Sequence, residues 1–402
     1  MNITTDQNDL PVFPGLRSQR CPFDPPEEYA GWRQAEGLQR VRLSNGGTAW
    51  VVTRYEDARA VLTDPRITAD ARLYPELRSD SRNLPPAFPR MDGPDHARIR
   101  RMLTGDFTVK RVAAMRPHIE ELVGGFLDEM ISAGAPTDLV RAYALPVPSL
   151  VISLLLGVPY ADHEFFQKHS NTLISITTPL DEKTAARSAL FGYVLELVAR
   201  KERDPGDDLI SRLLAERVAT GELSREDVAM NSMILLFAGH ETTANMIALS
   251  TLTLLRNPEQ AARIRDTDDP AMAANAVEEL LRYLTIAQDK INRVATEDLT
   301  IGGQQVRAGD LLTVSLSAAN RDPSFLDHPD VLDITRETRG HLAFGNGAHQ
   351  CLGQQLARAE LQIALPALFR RIPGLRPAIP FEDVMFRHDM SAYGVHELPV
   401  TW

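Results

Sequence analysis

The sequence of 402 residues lacks clustered cysteines, long apolar runs and an excess of positive charge. Its only two cysteines, Cys21 and Cys351, are far apart in the chain, so we expect no disulfide framework. No apolar run reaches the length that a bilayer span requires. Residues 1–9 are polar and include acids, unlike the apolar segment of a signal peptide. These absences predict a cytoplasmic protein without a membrane anchor.

Charge and composition narrow the possible partners and the domain organisation. The 43 Lys and Arg residues are outnumbered by 54 Asp and Glu residues, and the formal net charge of −11 argues against general attraction to nucleic acid. A hydrophobic fraction of 44% supplies ample material for a core. No Gly/Ser-rich or charged linker and no repeat of fixed period divides the chain. We therefore predict one domain over residues 1–402.

Cys351 lies in the most informative stretch, residues 341–353, which reads H-L-A-F-G-N-G-A-H-Q-C-L-G. A helix-prone run follows, so we expect the thiol at a helix N-terminus, where the macrodipole and free N–H groups lower the pKa of a thiol. Gly345, Gly347 and Gly353 permit positive φ and close approach of the backbone to a flat ligand. This combination favours a buried thiolate beneath a planar cofactor over a disulfide.

Three other interpretations of this stretch compete with a cofactor site. An isolated cysteine is most often a small buried apolar residue. A zinc site would recruit His341, His349 and Cys351, but no C-x-x-C or H-x-x-x-H spacing supports it. A dinucleotide site would use Gly345 and Gly347, but the third glycine and the strand-to-helix unit are missing.

The pattern F-G-x-G-x-H-x-C-L-G over residues 344–353 resembles the haem-binding loop of the cytochrome P450 family, the thiolate–haem monooxygenases. The resemblance covers nearly the whole chain and looks most like actinomycete members. It implies haem b as the cofactor, Cys351 as the axial ligand of its iron, and Phe344 and Gly353 beside it. The implied fold is mainly α with a smaller β region, triangular, with a long central helix over the haem.

The spacing of apolar residues and the positions of helix-breaking residues also predict a mainly helical chain. The pair Ser224-x-x-Asp227 resembles a capping box and begins the longest predicted helix, which ends near Arg256. Pro117 is predicted to open a helix over residues 117–133. Further predicted helices cover residues 27–36, 55–62, 96–107, 145–156, 162–175, 181–202, 207–220 and 270–283. Predicted strands cover residues 41–43, 48–53, 292–295, 299–301, 305–306 and 311–316, and irregular segments cover residues 1–26 and 67–90.

The long central helix contains the run A-G-H-E-T-T over residues 238–243. A glycine inside a helix costs about 1 kcal/mol relative to alanine, so Gly239 calls for a reason, such as close approach of a ligand to the backbone. Thr242 can turn its hydroxyl toward a neighbouring carbonyl. The alternative is a tolerated kink in a buried helix, with Glu241 paired to an arginine. The resemblance implies that Thr242 and Glu241 supply protons for oxygen activation, and that Ala238 and Gly239 lie against the haem face.

A carboxylate and a guanidinium, Glu279 and Arg282, are spaced i, i+3 on a predicted helix. On spacing alone such a pair is most often a surface pair that contributes a few tenths of a kcal/mol. The resemblance implies a buried triad of Glu279, Arg282 and Arg336 that supports the cofactor pocket and takes no part in catalysis.

Haem carries two propionates, which require cationic donors. His96 and Arg100 are spaced i, i+4 on one helical face, and arginine can bind a carboxylate through two N–H groups. Each isolated cation is by default a solvated surface group. Together with Arg293 and His349, however, these two match the propionate ligands of the family.

The resemblance also implies partners. Electrons would come from a ferredoxin and a ferredoxin reductase fed by NAD(P)H, because no flavin or nicotinamide domain is fused to the chain. The basic residues expected near the docking surface, which are otherwise simply solvated cations, are Arg98, Arg101, Lys110, Arg111 and Arg358. The protein is expected to act as a monomer.

The implied reaction inserts one oxygen atom from O2 into a C–H bond of a bulky hydrophobic molecule, such as a polyketide, terpenoid, sterol-like compound or xenobiotic. Residues expected to contact that substrate are Leu235, Ala238, Ile286 and Ala287, with loops at 66–90, 166–179 and 392–395. Two alternatives are a peroxygenase of the same fold that uses H2O2 and a non-enzymatic haem carrier or sensor. An acid beside an alcohol, Glu241 and Thr242, argues against both.

Overall fold

The computed structural model describes residues 9–18, 20–72, 84–288 and 291–402. These residues form a mainly α structure with a smaller β region, as predicted. The α-helices of the described residues are α1 Glu28–Gln34, α2 Tyr55–Thr63, α3 Gly93–Thr104, α4 Val109–Ala133, α5 Pro146–Leu156, α6 His163–Ile174, α7 Leu180–Arg203, α8 Leu209–Leu213, α9 Arg225–Leu255, α10 Pro258–Asp266, α11 Pro270–Leu284, α12 Leu316–Ala319 and α13 Gln354–Arg371. None of them combines the length and apolarity needed to cross a membrane.

The β region collects strands from both ends of the chain. Its strands are β1 Val12–Phe13, β2 Gln39–Leu43, β3 Thr48–Val52, β4 Ile67–Thr68, β5 Thr137–Asp138, β6 Asn292–Ala295, β7 Leu299–Ile301, β8 Gln304–Val306, β9 Leu311–Val314, β10 Arg376–Pro377 and β11 Pro399–Thr401. The largest sheet has the order β1-β2-β3-β9-β6-β4, a second has β10-β11-β5, and β7 and β8 form a hairpin. The β2–β3 pair is antiparallel, and Gly46 in its turn has a φ of 84°, a value that favours glycine.

Helix α9 runs through the core. The capping box at its start is confirmed, because Ser224 accepts from the Asp227 N–H while the Asp227 carboxylate accepts from the Ser224 N–H. The helix packs against α5, α7 and α13, and most of its 31 residues are buried. Its burial on every side explains why its sequence shows no single apolar face.

Several predicted boundaries were wrong, each for a local reason. Pro117 lies inside α4, which begins at Val109 because the Thr108 hydroxyl accepts from the Arg111 N–H at 3.3 Å and caps the helix. The predicted strand 311–316 ends at Val314, because the Ser315 hydroxyl accepts from the Ala318 N–H and starts α12.

Other differences concern segments that were predicted to be irregular or to form one continuous helix. The predicted helix over 207–220 is split into α8 and a π-helical stretch, Leu214–Val218. The expected irregular arm contains β1, which pairs parallel with β2. The expected loop over 67–90 contains β4, while residues 73–83 lie outside the described residues. Helix α10 follows directly after Asn257-Pro258 and was not predicted.

Candidate active site

Cys351 ends a tight loop that leads into α13, as predicted. Gly345 and Gly347 both have a φ of 72°, and a Cβ on Gly347 would lie 2.6 Å from the Leu62 carbonyl oxygen, so glycine is required there. The Cys351 N–H donates to the Phe344 carbonyl at 2.8 Å and fixes the turn. Gly353 has no such requirement, since a Cβ there would meet Phe107 at an ordinary contact distance of 4.0 Å.

Cys351 is exposed and has no disulfide partner. Burial is the main influence and raises the pKa of Cys351, while the N–H groups of Gly353 and Gln354 and the charges of Arg100 and Arg358 act in the opposite direction. The prediction of a lowered pKa was therefore wrong in sign, although a bound metal ion deprotonates a thiol ligand in any case.

A compact ionic cluster supports the cysteine loop from α11. Glu278 accepts from Arg358 at 2.6 and 2.9 Å and from His341 Nε2 at 3.0 Å. Burial alone would raise the pKa of Glu278, but these hydrogen bonds bring it to about 2. The guanidinium of Arg358 also lies 4.5 Å from the centroid of the Phe344 ring. His341 therefore pairs with Glu278. Within the described ranges, no three or more His, Cys, Asp or Glu side chains form a group that could hold a metal ion.

Four predicted cations meet near the cysteine loop. His96 is buried, and its ring stacks on His349 with centroids 4.3 Å apart. Arg100 Nη2 donates to the Gln350 carbonyl at 2.6 Å, and the buried Arg293 donates to the Asn292 carbonyl at 2.9 Å. Neither hydrogen bond neutralises the charge of its guanidinium. The structure therefore brings together donors from α3, β6 and the cysteine loop.

The electrostatics of this cluster fit an acidic ligand. Burial, followed by the charges of His349 and Arg100, lowers the pKa of His96 to about 4. Burial, followed by Arg90, lowers the pKa of Arg293 to about 10. Nε2 of His96 and Nδ1 of His349 are buried without a hydrogen-bond partner. Carboxylates of a ligand would satisfy both atoms and offset the crowded cations, which is what haem propionates require.

Asp92 holds the ring of His349, a contact that was not predicted. It accepts from His349 Nε2 at 2.6 Å, from the Ala69 N–H at 2.6 Å and from the Thr68 hydroxyl. Burial would raise the pKa of Asp92, but these hydrogen bonds bring it to about 2. Asp92 therefore orients the His349 ring with Nδ1 free. Its place in the run M-D-G-P-D-H, residues 91–96, was the only signal in the sequence.

One face of α9 has exposed positions in the middle of the helix. Ala238 and Thr242, four residues apart, are exposed although most neighbouring positions of the helix are buried. The Thr242 hydroxyl donates to the Ala238 carbonyl at 2.7 Å, as predicted. Contact with α5 accounts for the glycine at position 239, because a Cβ there would lie 2.8 Å from Ile152. Glycine at this position admits helix α5, so approach of a ligand is not needed to explain it.

Glu241 is buried, unlike its neighbour Thr242, and is paired with an arginine. Its Oε2 accepts from Arg387 Nη1 at 3.2 Å, and both side chains are buried. Arg387 also donates to Asn245 at 3.2 Å and to Asn171 at 3.0 Å, so it connects α9 with α6. The alternative stated for Glu241, an arginine partner, therefore describes its geometry. Arg387 itself lies 146 residues away in sequence, and no pattern pointed to it.

The predicted triad on α11 comes together. Arg282 donates to Glu279 at 2.7 and 2.9 Å, and both side chains are fully buried. Arg336 lies 3.6 Å from Glu279. The remaining guanidinium donors of Arg282 reach carbonyls at 3.0 Å (Asn320) and 2.7 Å (Pro329).

The residues expected to contact substrate are apolar and belong to two elements. Leu235 and Ile286 are buried, and Ala287 is half-buried. Ala287 forms a bridge with Ala392, which lies in the expected substrate loop 392–395. Of the other expected loops, residues 166–179 are described, whereas residues 66–90 are described only in part.

Comparisons with known proteins agree with this geometry. The family model described as Cytochrome P450 matches residues 38–372. Cytochrome P450-SU2 of Streptomyces griseolus is 49% identical over 409 residues, which cover 100% of this chain and 100% of that protein. One similar solved structure is the mycinamicin VIII C21 methyl hydroxylase of Micromonospora griseorubida with mycinamicin VIII bound. It is 41% identical to this chain, and the two superpose with a TM-score of 0.91. The match covers 98% of this chain and 100% of that chain. CYP105P1, solved with filipin I, is 43% identical with a TM-score of 0.90 and covers 98% and 99%, respectively.

Proposed function

The chain belongs to the cytochrome P450 family, and from that premise we propose that this monooxygenase hydroxylates a bulky hydrophobic secondary metabolite or related molecule, with electrons from a ferredoxin and its reductase. The observation that carries the proposal is the unpaired, exposed Cys351, which a tight glycine-bearing loop holds just before the start of α13. Polyketides, terpenoids, sterol-like compounds and xenobiotics all fit an apolar cavity wall. The filipin I and mycinamicin VIII bound to two relatives support the polyketide class.

Members of this family bind haem, which supplies the chemistry of oxygen activation. In this chain Cys351 would hold the iron, and His96, Arg100, Arg293 and His349 would hold the two propionates. The buried nitrogen atoms of His96 and His349 without partners support this assignment. Phe344, Gly353, Ala238 and Gly239 are the residues proposed to lie beside the ring.

We assign proton supply to Thr242 and Glu241. The hydrogen bond to Ala238 keeps the Thr242 hydroxyl on the exposed face of α9, where it can hold a proton next to the reacting atoms. Glu241 is paired with Arg387 on another face, so it must exchange this partner before it can pass a proton toward Thr242. Leu235, Ile286 and Ala287 would exclude water and orient the substrate.

The proposed docking surface for ferredoxin combines cations with an exposed apolar side chain. Arg101, Lys110 and Arg111 are exposed, and Val109 beside them is 66% exposed. Arg98 donates to the Glu222 carbonyl at 2.7 Å, and Arg358 is held by Glu278, so these two contribute charge from fixed positions. An acidic ferredoxin matches such a surface. A monomeric, cytoplasmic enzyme is part of the same proposal.

Turnover assays separate the proposal from its alternatives. Purified holoenzyme is incubated with a library of polyketides, terpenoids and sterols, once with ferredoxin, reductase and NADPH and once with H2O2 alone. We expect a product heavier by one oxygen atom, with the label from 18O2, only with the electron-transfer proteins. Equal turnover with H2O2 alone would indicate a peroxygenase, and tight haem binding without any product would indicate a carrier or sensor.

A further inference from the structure

The N-terminal arm, residues 9–18 and 20–26, buries Arg17 as well as the rings of Phe13 and Phe23. Arg17 is 3% exposed, and its Nη2 donates to the carbonyls of Leu284 at 3.2 Å and Thr285 at 2.8 Å. Its guanidinium carbon lies 4.5 Å from the centroid of the Tyr393 ring. Burial lowers the pKa of Arg17 to about 10, because the charged guanidinium has lost its hydration.

The carbonyl that Arg17 binds belongs to a residue in an unusual conformation. Thr285 ends α11 with a φ of 32°, in the left-handed region that side chains branched at Cβ rarely adopt. Its hydroxyl donates to the Arg282 carbonyl at 2.7 Å and accepts from Asn320 Nδ2 at 2.8 Å. A strained residue persists only where its surroundings hold it. Here the hydroxyl contacts and Arg17 hold it from two sides.

The residues after Thr285 pair with the loop that carries Tyr393. The Tyr393 N–H donates to the Ile286 carbonyl at 2.8 Å, and the Gln288 N–H donates to the Ser391 carbonyl at 3.0 Å. Arg17 thus touches both partners of this pairing, the carbonyl of Thr285 and the ring of Tyr393.

We propose that Arg17 is a positioning residue for the substrate cavity: it holds the turn at Thr285 and thereby sets the positions of Ile286 and Ala287. The inference rests on the proposed function, because it takes these two residues as part of the cavity wall. Arg17 does not contact the reacting atoms. Its effect is on which shapes of ligand the cavity accepts.

The test compares two ligands that both bind haem iron through nitrogen but differ in bulk. Dissociation constants for imidazole and 4-phenylimidazole are measured from the shift of the haem absorption band in purified holoenzyme. For Arg17→Met we expect the dissociation constant of 4-phenylimidazole to rise by about threefold or more, while that of imidazole changes by less than about twofold. Arg17→Lys, which keeps a donor for the carbonyls, should give a smaller change.

Two further variants separate positioning from loss of stability. Thr285→Gly accepts the same φ but loses the hydroxyl contacts, so we expect it to shift the ratio of the two dissociation constants in the same direction. Leu127→Ala removes a fully buried side chain of α4 far along the chain from this turn, so it should lower the melting temperature without moving the ratio.

The inference is overturned if Arg17→Met melts at a lower temperature but keeps the wild-type ratio, as Leu127→Ala should. If Arg17→Met does not accumulate as holoenzyme, unchanged ratios in both Arg17→Lys and Thr285→Gly overturn it equally. Wild-type protein that takes up haem but gives no absorption shift with either ligand would instead contradict the proposed function.

Discussion

Two buried arginine–carboxylate clusters, one on α11 and one on α9, differ in how completely they are satisfied. In the α11 cluster, Arg282 makes two short hydrogen bonds to Glu279, of 2.7 and 2.9 Å, and donates its remaining N–H groups to carbonyls. In the α9 cluster, Arg387 divides Nη1 between Glu241 and Asn245, each at 3.2 Å, and its Nε is buried without a partner.

The difference fits the two roles proposed for these carboxylates, support of the fold for Glu279 and proton supply for Glu241. Every guanidinium nitrogen of Arg282 donates to a partner, so the Glu279–Arg282 pair has no cheap alternative arrangement, whereas Nε of Arg336 beside it is buried without a hydrogen bond. The α9 cluster has fewer and longer hydrogen bonds, so it loses less free energy when its side chains rearrange. His240 adds to this, because its Nε2 is also buried without a hydrogen-bond partner and lies 3.7 Å from Glu241. We infer that Glu241 can leave Arg387, whereas Glu279 cannot leave Arg282.

The largest effect is expected from Glu279→Gln. Removal of this charge leaves Arg282 buried and uncompensated, at a cost of about 3–5 kcal/mol. That is a large share of the total stability of an ordinary protein. We expect little soluble holoenzyme and a melting temperature far below that of the wild type, measured by circular dichroism. A variant that folds and binds haem normally would show that the α11 cluster is not a rigid support.

A smaller effect on stability but a specific effect on rate is expected from Glu241→Gln. The amide keeps the shape of the side chain but supplies no proton, so product formation should slow by about a hundredfold. Binding of azole ligands should stay unchanged, because Glu241 is buried, unlike its neighbour Thr242. The measurement is product formed per haem under saturating ferredoxin.

Thr242→Ala is the matched control for that experiment. Loss of the hydroxyl should divert reducing equivalents to peroxide while substrate still binds. If Glu241 is only a structural partner of Arg387, Glu241→Gln will lower the melting temperature and leave both the rate and the yield of peroxide at wild-type values.

The smallest effect on stability is expected from substitution of Glu278, the half-buried carboxylate that binds Arg358 and His341 on either side of the cysteine loop. Its pKa lies near 2 in the folded protein against 4.5 as an ordinary value, so the stability it contributes is complete above about pH 5 and is lost as the pH falls. Glu278→Gln should therefore melt below the wild type at neutral pH, and the gap should narrow toward pH 3. Thermal melts across this range test the prediction. A gap that is constant with pH would mean that the charge of Glu278 contributes nothing.

The sequence predicted those parts of the site that are encoded locally. The glycines and cysteine of residues 344–353, the hydroxyl contact of Thr242 and the pair Glu279–Arg282 all lie within one turn or loop. The capping box at Ser224 is local in the same way. Short-range geometry determines these contacts, although the burial of the Glu279–Arg282 pair was expected only from the family resemblance, because spacing alone favoured a surface pair.

The features that were missed depend on contacts between distant segments. Arg387 meets Glu241 across 146 residues, Asp92 meets His349 across 257, and Arg17 meets Leu284 across 267. The sign of the pKa shift of Cys351 was wrong for the same reason, because burial arises from the whole fold and outweighs the local helix terminus. The packing of α5 against Gly239 of α9 also joins distant segments and was not predicted, and the approach of a ligand to this residue stays a prediction.

The account depends most on the sulfur of Cys351 as the axial ligand of haem iron. The most direct test is the absorption spectrum of the reduced carbon-monoxide complex, for the wild type and for Cys351→Ser. We predict a thiolate-type band in the wild type and its complete loss in the variant. A thiolate-type band that persists in Cys351→Ser, or a wild-type spectrum typical of histidine ligation, would contradict the assignment.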